Sequence, residues 1–219
     1  MKPYYEDDLV TLYNADALDG WTIWCAATVL VVDPPYGIDY NSGSMRENLA
    51  PSILNDTDTS VRDEMLQLWG PDKPALVFGS PRIEKPAGTK MTLVWDKGGA
   101  LGMGDLRIPW KPGHEEIYVL GNWRGARGDR TNDVIRCSPV QSMAKNGRLH
   151  PHQKPIALMQ ELVSKAPRGV VADPTAGVGS TLYAAAALGQ QCVGFELDES
   201  YCEAAAKRLS SRSVALEIA

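Results

Sequence analysis

Val170-Val171-Ala172-Asp173-Pro174-Thr175-Ala176-Gly177-Val178-Gly179-Ser180-Thr181 is the stretch that decides the fold of this chain. A short apolar run ends in an acidic residue, a glycine-rich turn follows, and small helix-forming residues begin at Ser180. Strand, glycine turn and helix in that order make a ligand-facing corner of an open parallel sheet, outside the carboxyl ends of its strands. Glycines let a ligand approach the backbone closely, and the first turn of the helix offers unbonded amides. The next apolar run, residues 191–195, ends at Glu196, nineteen residues beyond Gly177. A carboxylate at that place can accept hydrogen bonds from both hydroxyls of a ribose. A dinucleotide fingerprint would carry a third glycine where this chain has Leu182. Asp173, ahead of the loop, favours a nucleoside cofactor with a charged amino-acid end. From these residues alone, a dinucleotide site and a purely structural loop stay open.

A second strand end lies upstream. Residues 28–32 are β-branched or apolar and run straight into Asp33-Pro34-Pro35-Tyr36-Gly37. Two consecutive prolines stiffen the backbone and withhold two amide donors. The Asp33 carboxylate and the Asp33 and Pro34 carbonyls form a rigid acceptor set, with an aromatic ring directly after it. Such a set suits a planar amino-bearing group; a strand-ending turn with a surface tyrosine is the plainer reading.

Outward from these two sites, short apolar runs alternate with helical stretches, which predicts an α/β sheet with helices on both faces. Strands are expected at 9–13, 28–32, 75–78, 91–95, 116–120, 169–172 and 191–195. Helices are expected at 59–68, capped by Thr59 or Ser60, and at 155–165, 180–188 and 201–209. With 219 residues, the chain is read as a single domain spanning 1–219. The four cysteines form no C-x-x-C pair, so no metal site is expected. No apolar run reaches the ~20 residues of a membrane helix, and residues 1–10 lack a signal-peptide pattern. A cytoplasmic protein is the expectation. Formal net charge is −5, yet residues 121–154 carry seven basic residues against Asp129 and Asp133, a local balance of +5. A basic segment in an acidic chain suits a polyanion, or is simply a solvated loop. Trp123 within it reads as a wedge or a packing residue. His114 reads as structural.

At both strand ends the chain resembles the β-type, permuted DNA amino-methyltransferases, which modify adenine N6 or cytosine N4. Their catalytic tetrapeptide corresponds to Asp33-Pro34-Pro35-Tyr36 and their cofactor loop to residues 173–179. Two further signatures correspond to His150-Pro151-His152-Gln153-Lys154-Pro155 and to the helix carrying Tyr201 and Arg208-Leu209. The resemblance spans residues 9–209. It departs at Thr175, where the family commonly has phenylalanine, and at His152, usually threonine.

The resemblance implies a Rossmann-like fold with a mostly parallel seven-stranded sheet, one strand antiparallel, and S-adenosyl-L-methionine as cofactor. Asp33, Pro34, Pro35 and Tyr36 would be catalytic. Asp16 would contact the cofactor's adenine, and Lys154 with Asp173 would face its amino-acid end. Thr175, Gly177, Gly179, Ser180 and Thr181 would line the pocket, and Glu196 would hold the ribose. Residues 121–150 would be a short target-recognition segment on double-stranded DNA, with Arg124, Arg127, Arg130, Arg136, Lys145 and Arg148 as DNA contacts. The base would be flipped onto Tyr36. Aspartate at the head of the tetrapeptide leans toward adenine N6. Cytosine N4, an RNA or protein-glutamine substrate, a nicotinamide oxidoreductase and an inactive DNA-binding relative are the alternatives. The shortness of the recognition segment leaves room for a homodimer, and a partner restriction enzyme cannot be read from the sequence.

Overall fold

The computed structural model describes residues 1–34, 58–99, 107, 109–140 and 153–217, with side chains to residue 212. The expected roles of Pro35, Tyr36, Lys145 and Arg148, and the signature residues 150–152, lie outside these residues.

One sheet organises the chain, in the order β1-β2-β9-β8-β3-β4-β6-β5-β7. Its strands are β1 (Tyr5–Glu6), β2 (Val10–Asn14), β3 (Val29–Val32), β4 (Ala75–Gly79), β5 (Met91–Asp96), β6 (His114–Leu120), β7 (Val134–Arg136), β8 (Val171–Asp173) and β9 (Cys192–Glu196). The expected seven strands are all present. β2, β9, β8, β3 and β4 run parallel, while β6 runs antiparallel between β4 and β5. The sheet has nine strands rather than seven because short edges were added: β1, antiparallel to β2, and β7, parallel to β5. Edges of two and three residues carry too little periodicity to be read from sequence.

The central strands β3 and β4 are buried along their whole length, as a parallel sheet covered on both faces requires. Alternation divides their side chains between two cores. Val29, Val31, Leu76 and Phe78 pack with α3 (Ile156–Lys165), α4 (Ser180–Ala187) and α5 (Glu199–Glu217). Leu30, Val32, Ala75 and Val77 pack with α1 (Trp21–Trp24) and α2 (Ser60–Trp69) on the other face. Thr59 takes the N-cap position of α2 without capping it: its hydroxyl bonds Asp63, and Asp58 receives the Ser60 amide instead. α5 is longer than expected. Asp198 receives the Ser200 amide and starts the helix early, and Arg212, in its C-terminal half, pairs with Asp7 at 2.7 Å.

Candidate active site

Three neighbouring parallel strands, β3, β8 and β9, deliver Asp33, Asp173 and Glu196 to one end of the sheet. β2 adds Asp16 at the same corner: Asn14 is in register with Glu196, and the Ala15 amide donates to the Glu196 carbonyl. The Asp16 carboxylate accepts the Leu18 amide.

Glu196 is fixed by the loop it faces. Its Oε2 accepts the Gly177 amide and its Oε1 the Asp198 amide, both at 2.8 Å. Burial holds its carboxyl above the usual range despite these bonds. Gly177 and Gly179 have φ of 51° and 74°, values that side chains with a Cβ adopt rarely. A Cβ on Gly177 would point into open space, whereas one on Gly179 would stand 3.1 Å from Ala205. Gly177 thus leaves room for a ligand, and Gly179 for the packing of α4 on α5.

Thr175 donates to Asp173 Oδ1 through its amide at 3.1 Å and its hydroxyl at 3.4 Å. The residue that departs from the family pattern therefore supports this carboxylate. Ser180 and Thr181 are buried and hold the site together: the Ser180 hydroxyl bonds the Lys154 carbonyl at 2.9 Å, and Thr181 bonds Asp173. Arg208 on α5 braces the same loop through Val178 O and Ser180 Oγ.

Burial pushes the Asp173 carboxyl up to about 7, and the nearby Asp33 and Glu196 charges add to the rise. An aspartate in the unfolded chain titrates near ~3.9. Folding therefore favours protonated Asp173; this contribution is complete below the unfolded value and is lost as pH rises through about 7. The ligand-free protein should accordingly melt at a higher temperature at pH 6 than at pH 8. The difference should shrink in Asp173→Asn; thermal melts showing the same difference in both proteins would assign it elsewhere.

Lys154 is buried, and its ammonium lies 2.6 Å from Asp33 Oδ2 and 3.2 Å from Glu115 Oε2. Lys154, expected with Asp173 at the amino-acid end of the cofactor, forms its ion pair with Asp33, the first residue of the tetrapeptide. Glu115, on β6, and Lys97, just after β5, were missed. Lys97 reaches Glu115 Oε1 at 2.5 Å. Burial alone would raise the Glu115 carboxyl, but Lys154 and Lys97 outweigh it and hold it down at about 2.

The basic segment is divided by the structure. Arg124 and Arg130 are exposed, and Arg136 is exposed but paired with Asp96 at 2.8 Å. Arg127, expected to contact DNA, donates to the Ala166 and Val163 carbonyls at the end of α3, a helix-capping contact. Trp123 packs against the core and donates to the Leu120 carbonyl. Among the described residues no group of histidine, cysteine or carboxylate side chains forms a metal cluster, and no helix is long and apolar enough to cross a membrane.

The pattern of matched residues settles the family. The N6/N4 methyltransferase family, described as DNA methylase, matches residues 56–207. The chain belongs to this family. Among its relatives, type II methyltransferase M.HpaI of Haemophilus parainfluenzae is 32% identical over 219 residues, covering 84% of this chain and 68% of that protein. The putative methylase YubD of Escherichia coli (strain K12) is 39% identical over 107 residues, 48% of this chain; the match spans less than half of YubD, 45%. A crystal structure of an M1.HpyAVI–SAM complex shares the fold, with a TM-score of 0.65 at 20% identity, covering 92% of this chain and 100% of that one.

Proposed function

We propose that this chain transfers the methyl group of S-adenosyl-L-methionine to the exocyclic amine of a base flipped out of double-stranded DNA, and that the base is adenine, modified at N6. The observation that carries the reading is the row of Asp33, Asp173 and Glu196 at the ends of three adjacent strands. Glu196 supplies acceptors for ribose hydroxyls beside the open space at Gly177. Buried Asp173, its carboxyl raised by burial and by two neighbouring carboxylates, suits a cofactor that carries a sulfonium and an ammonium charge. Bound S-adenosylmethionine supplies an electrophilic methyl group.

The chain's own residues prepare the nucleophile. An exocyclic amine is weakly nucleophilic because its lone pair is delocalised into the ring. Asp33 and the Pro34 carbonyl accept the two N–H bonds, draw the nitrogen toward tetrahedral geometry and aim its lone pair. Positioning and electrostatics carry this catalysis without a covalent intermediate. Tyr36 stacks on the flipped base. Asp33 at the head of the tetrapeptide supports adenine over cytosine.

Residues 121–150 contact the DNA through exposed arginines. Arg130→Ala should weaken duplex binding and reduce the slope of log K against log salt by about one unit. Arg127→Ala should leave that slope unchanged and lower stability by about 1–2 kcal/mol, because it uncaps α3. Salt titrations of DNA binding and chemical denaturation read the two effects separately; a lower slope in Arg127→Ala would return that residue to the DNA interface.

Labelled methyl transfer to duplex DNA, followed by nucleoside analysis, tests the function. Label in N6-methyladenine is the expected result. Label in N4-methylcytosine would correct the base, and label on RNA or protein but not DNA would overturn the reading.

A further inference from the structure

Lys154 brings a positive charge into the interior beside Asp33, a costly arrangement unless the charge is fully partnered. The partners come from separate parts of the chain. Asp33 follows β3; Glu115 lies on β6, on the far side of β4; and Lys97 follows β5. The intervening strand β4 contributes the Phe78 ring, 4.8 Å from the ammonium. Lys97, Glu115, Lys154 and Asp33 thus form a chain of alternating charge with links of 2.5, 3.2 and 2.6 Å. Lys97, about three-quarters buried and also over the Trp95 ring at 4.9 Å, holds the outer end.

We propose that Glu115 and Lys97 are positioning residues, which hold Lys154 against Asp33 and so fix the Asp33 carboxylate before the amine arrives. The inference rests on the reading of Asp33 as the acceptor for that amine. Glu115 is bonded on one oxygen to Lys97 and on the other to Lys154, so the ammonium is held by a second carboxylate besides Asp33. With Oδ2 clamped, the plane and charge of the Asp33 carboxylate are set by the protein rather than by the substrate. Such pre-organisation raises the rate at the chemical step without changing the affinity for either substrate. The neighbouring Glu116 takes no part: its carboxylate serves Tyr118 and Lys85.

Lys154 is raised above the usual lysine range because Asp33 and Glu115 together overcome the opposing effect of burial. Removing the Glu115 charge leaves Lys154 its pair with Asp33. The test compares the full chain with Glu115→Gln, Lys97→Met, Lys154→Arg, Lys154→Met and, as a control, Glu116→Gln. An NMR titration of the Lys154 side chain, assigned by its loss in Lys154→Arg, should have a midpoint lower by about one pH unit in Glu115→Gln. In steady-state transfer assays, kcat should fall about 10- to 100-fold in Glu115→Gln and less in Lys97→Met. KM for methyl donor and DNA should stay within about twofold, and the alkaline limb of kcat should move to lower pH. Lys154→Arg should retain more activity than Lys154→Met, and Glu116→Gln should behave as wild type. Unchanged Lys154 titration in a folded Glu115→Gln protein would overturn the clamp, as would wild-type kcat and alkaline limb. If the unaltered protein methylates no DNA, the functional reading fails, and the titration still decides whether Glu115 holds Lys154.

Discussion

Asp33→Ala should lose methyl transfer by about a thousandfold or more while still binding S-adenosylmethionine. Losing a single pre-organised hydrogen-bonding group at a reacting centre costs about 10²–10³ in rate. Asp33 has a second charge-bearing role, because its Oδ2 partners the buried Lys154 at 2.6 Å. Alanine therefore removes both the proposed acceptor for the amine and a carboxylate that, with Glu115, holds Lys154. Asp33→Asn keeps the shape and one carbonyl acceptor but not the charge, so its loss should be smaller. Single-turnover transfer under saturating DNA reads the chemical step, and calorimetric titration with the methyl donor reads binding. Transfer in Asp33→Ala within tenfold of wild type would remove Asp33 from the mechanism.

Glu196→Ala should weaken S-adenosylmethionine binding by about a hundredfold or more. Hydrogen bonds to a charged group contribute about 1.5–3 kcal/mol each, and two ribose hydroxyls are assigned to this carboxylate. The same oxygens hold the Gly177 and Asp198 amides at 2.8 Å, so alanine also releases the backbone of the loop. Glu196→Gln retains one acceptor and should lose less. DNA binding measured without cofactor should be unaffected by either change. A dissociation constant for the methyl donor within threefold of wild type in Glu196→Ala would place the ribose elsewhere.

Much of the sheet was legible because buried parallel strands are continuous apolar runs with abrupt ends. Val29–Val32 and Cys192–Glu196 each end on the carboxylate of interest or directly before it. The glycine-rich loop after β8 was legible because its two left-handed glycines are confined to a short turn. The elements that escaped lack a local signal. α1 is four residues, Trp-Thr-Ile-Trp, without a side-chain cap, and its bulky residues do not favour a helix. β7 exists through its pairing with β5, in which Val94, Trp95 and Asp96 meet Val134, Ile135 and Arg136. Glu115 and Lys97 escaped for a related reason. Their meeting depends on the register of β5 with β6, where Trp95 lies opposite Glu115, and on a lysine that arrives from the start of α3. Lys154 was legible as a site residue, but its ion pair with Asp33 was not, since adjacent strand ends cannot be ranked by distance from sequence alone.

The strand order has a consequence for how the chain comes into being. β3 has β4 on one side and β8 on the other, with Val29 paired to Val171. During synthesis β3 and β4 leave the ribosome about ninety or more residues before β8. Until then the edge of β3 that will meet β8 has open backbone groups on an entirely apolar strand, the kind of edge that invites pairing with other chains. Asp33 and Pro34, at the exit of that strand, place a charge and a residue without an amide donor where such pairing would extend. The same two residues that are proposed to grip the amine thus also shorten the adhesive edge of the nascent chain.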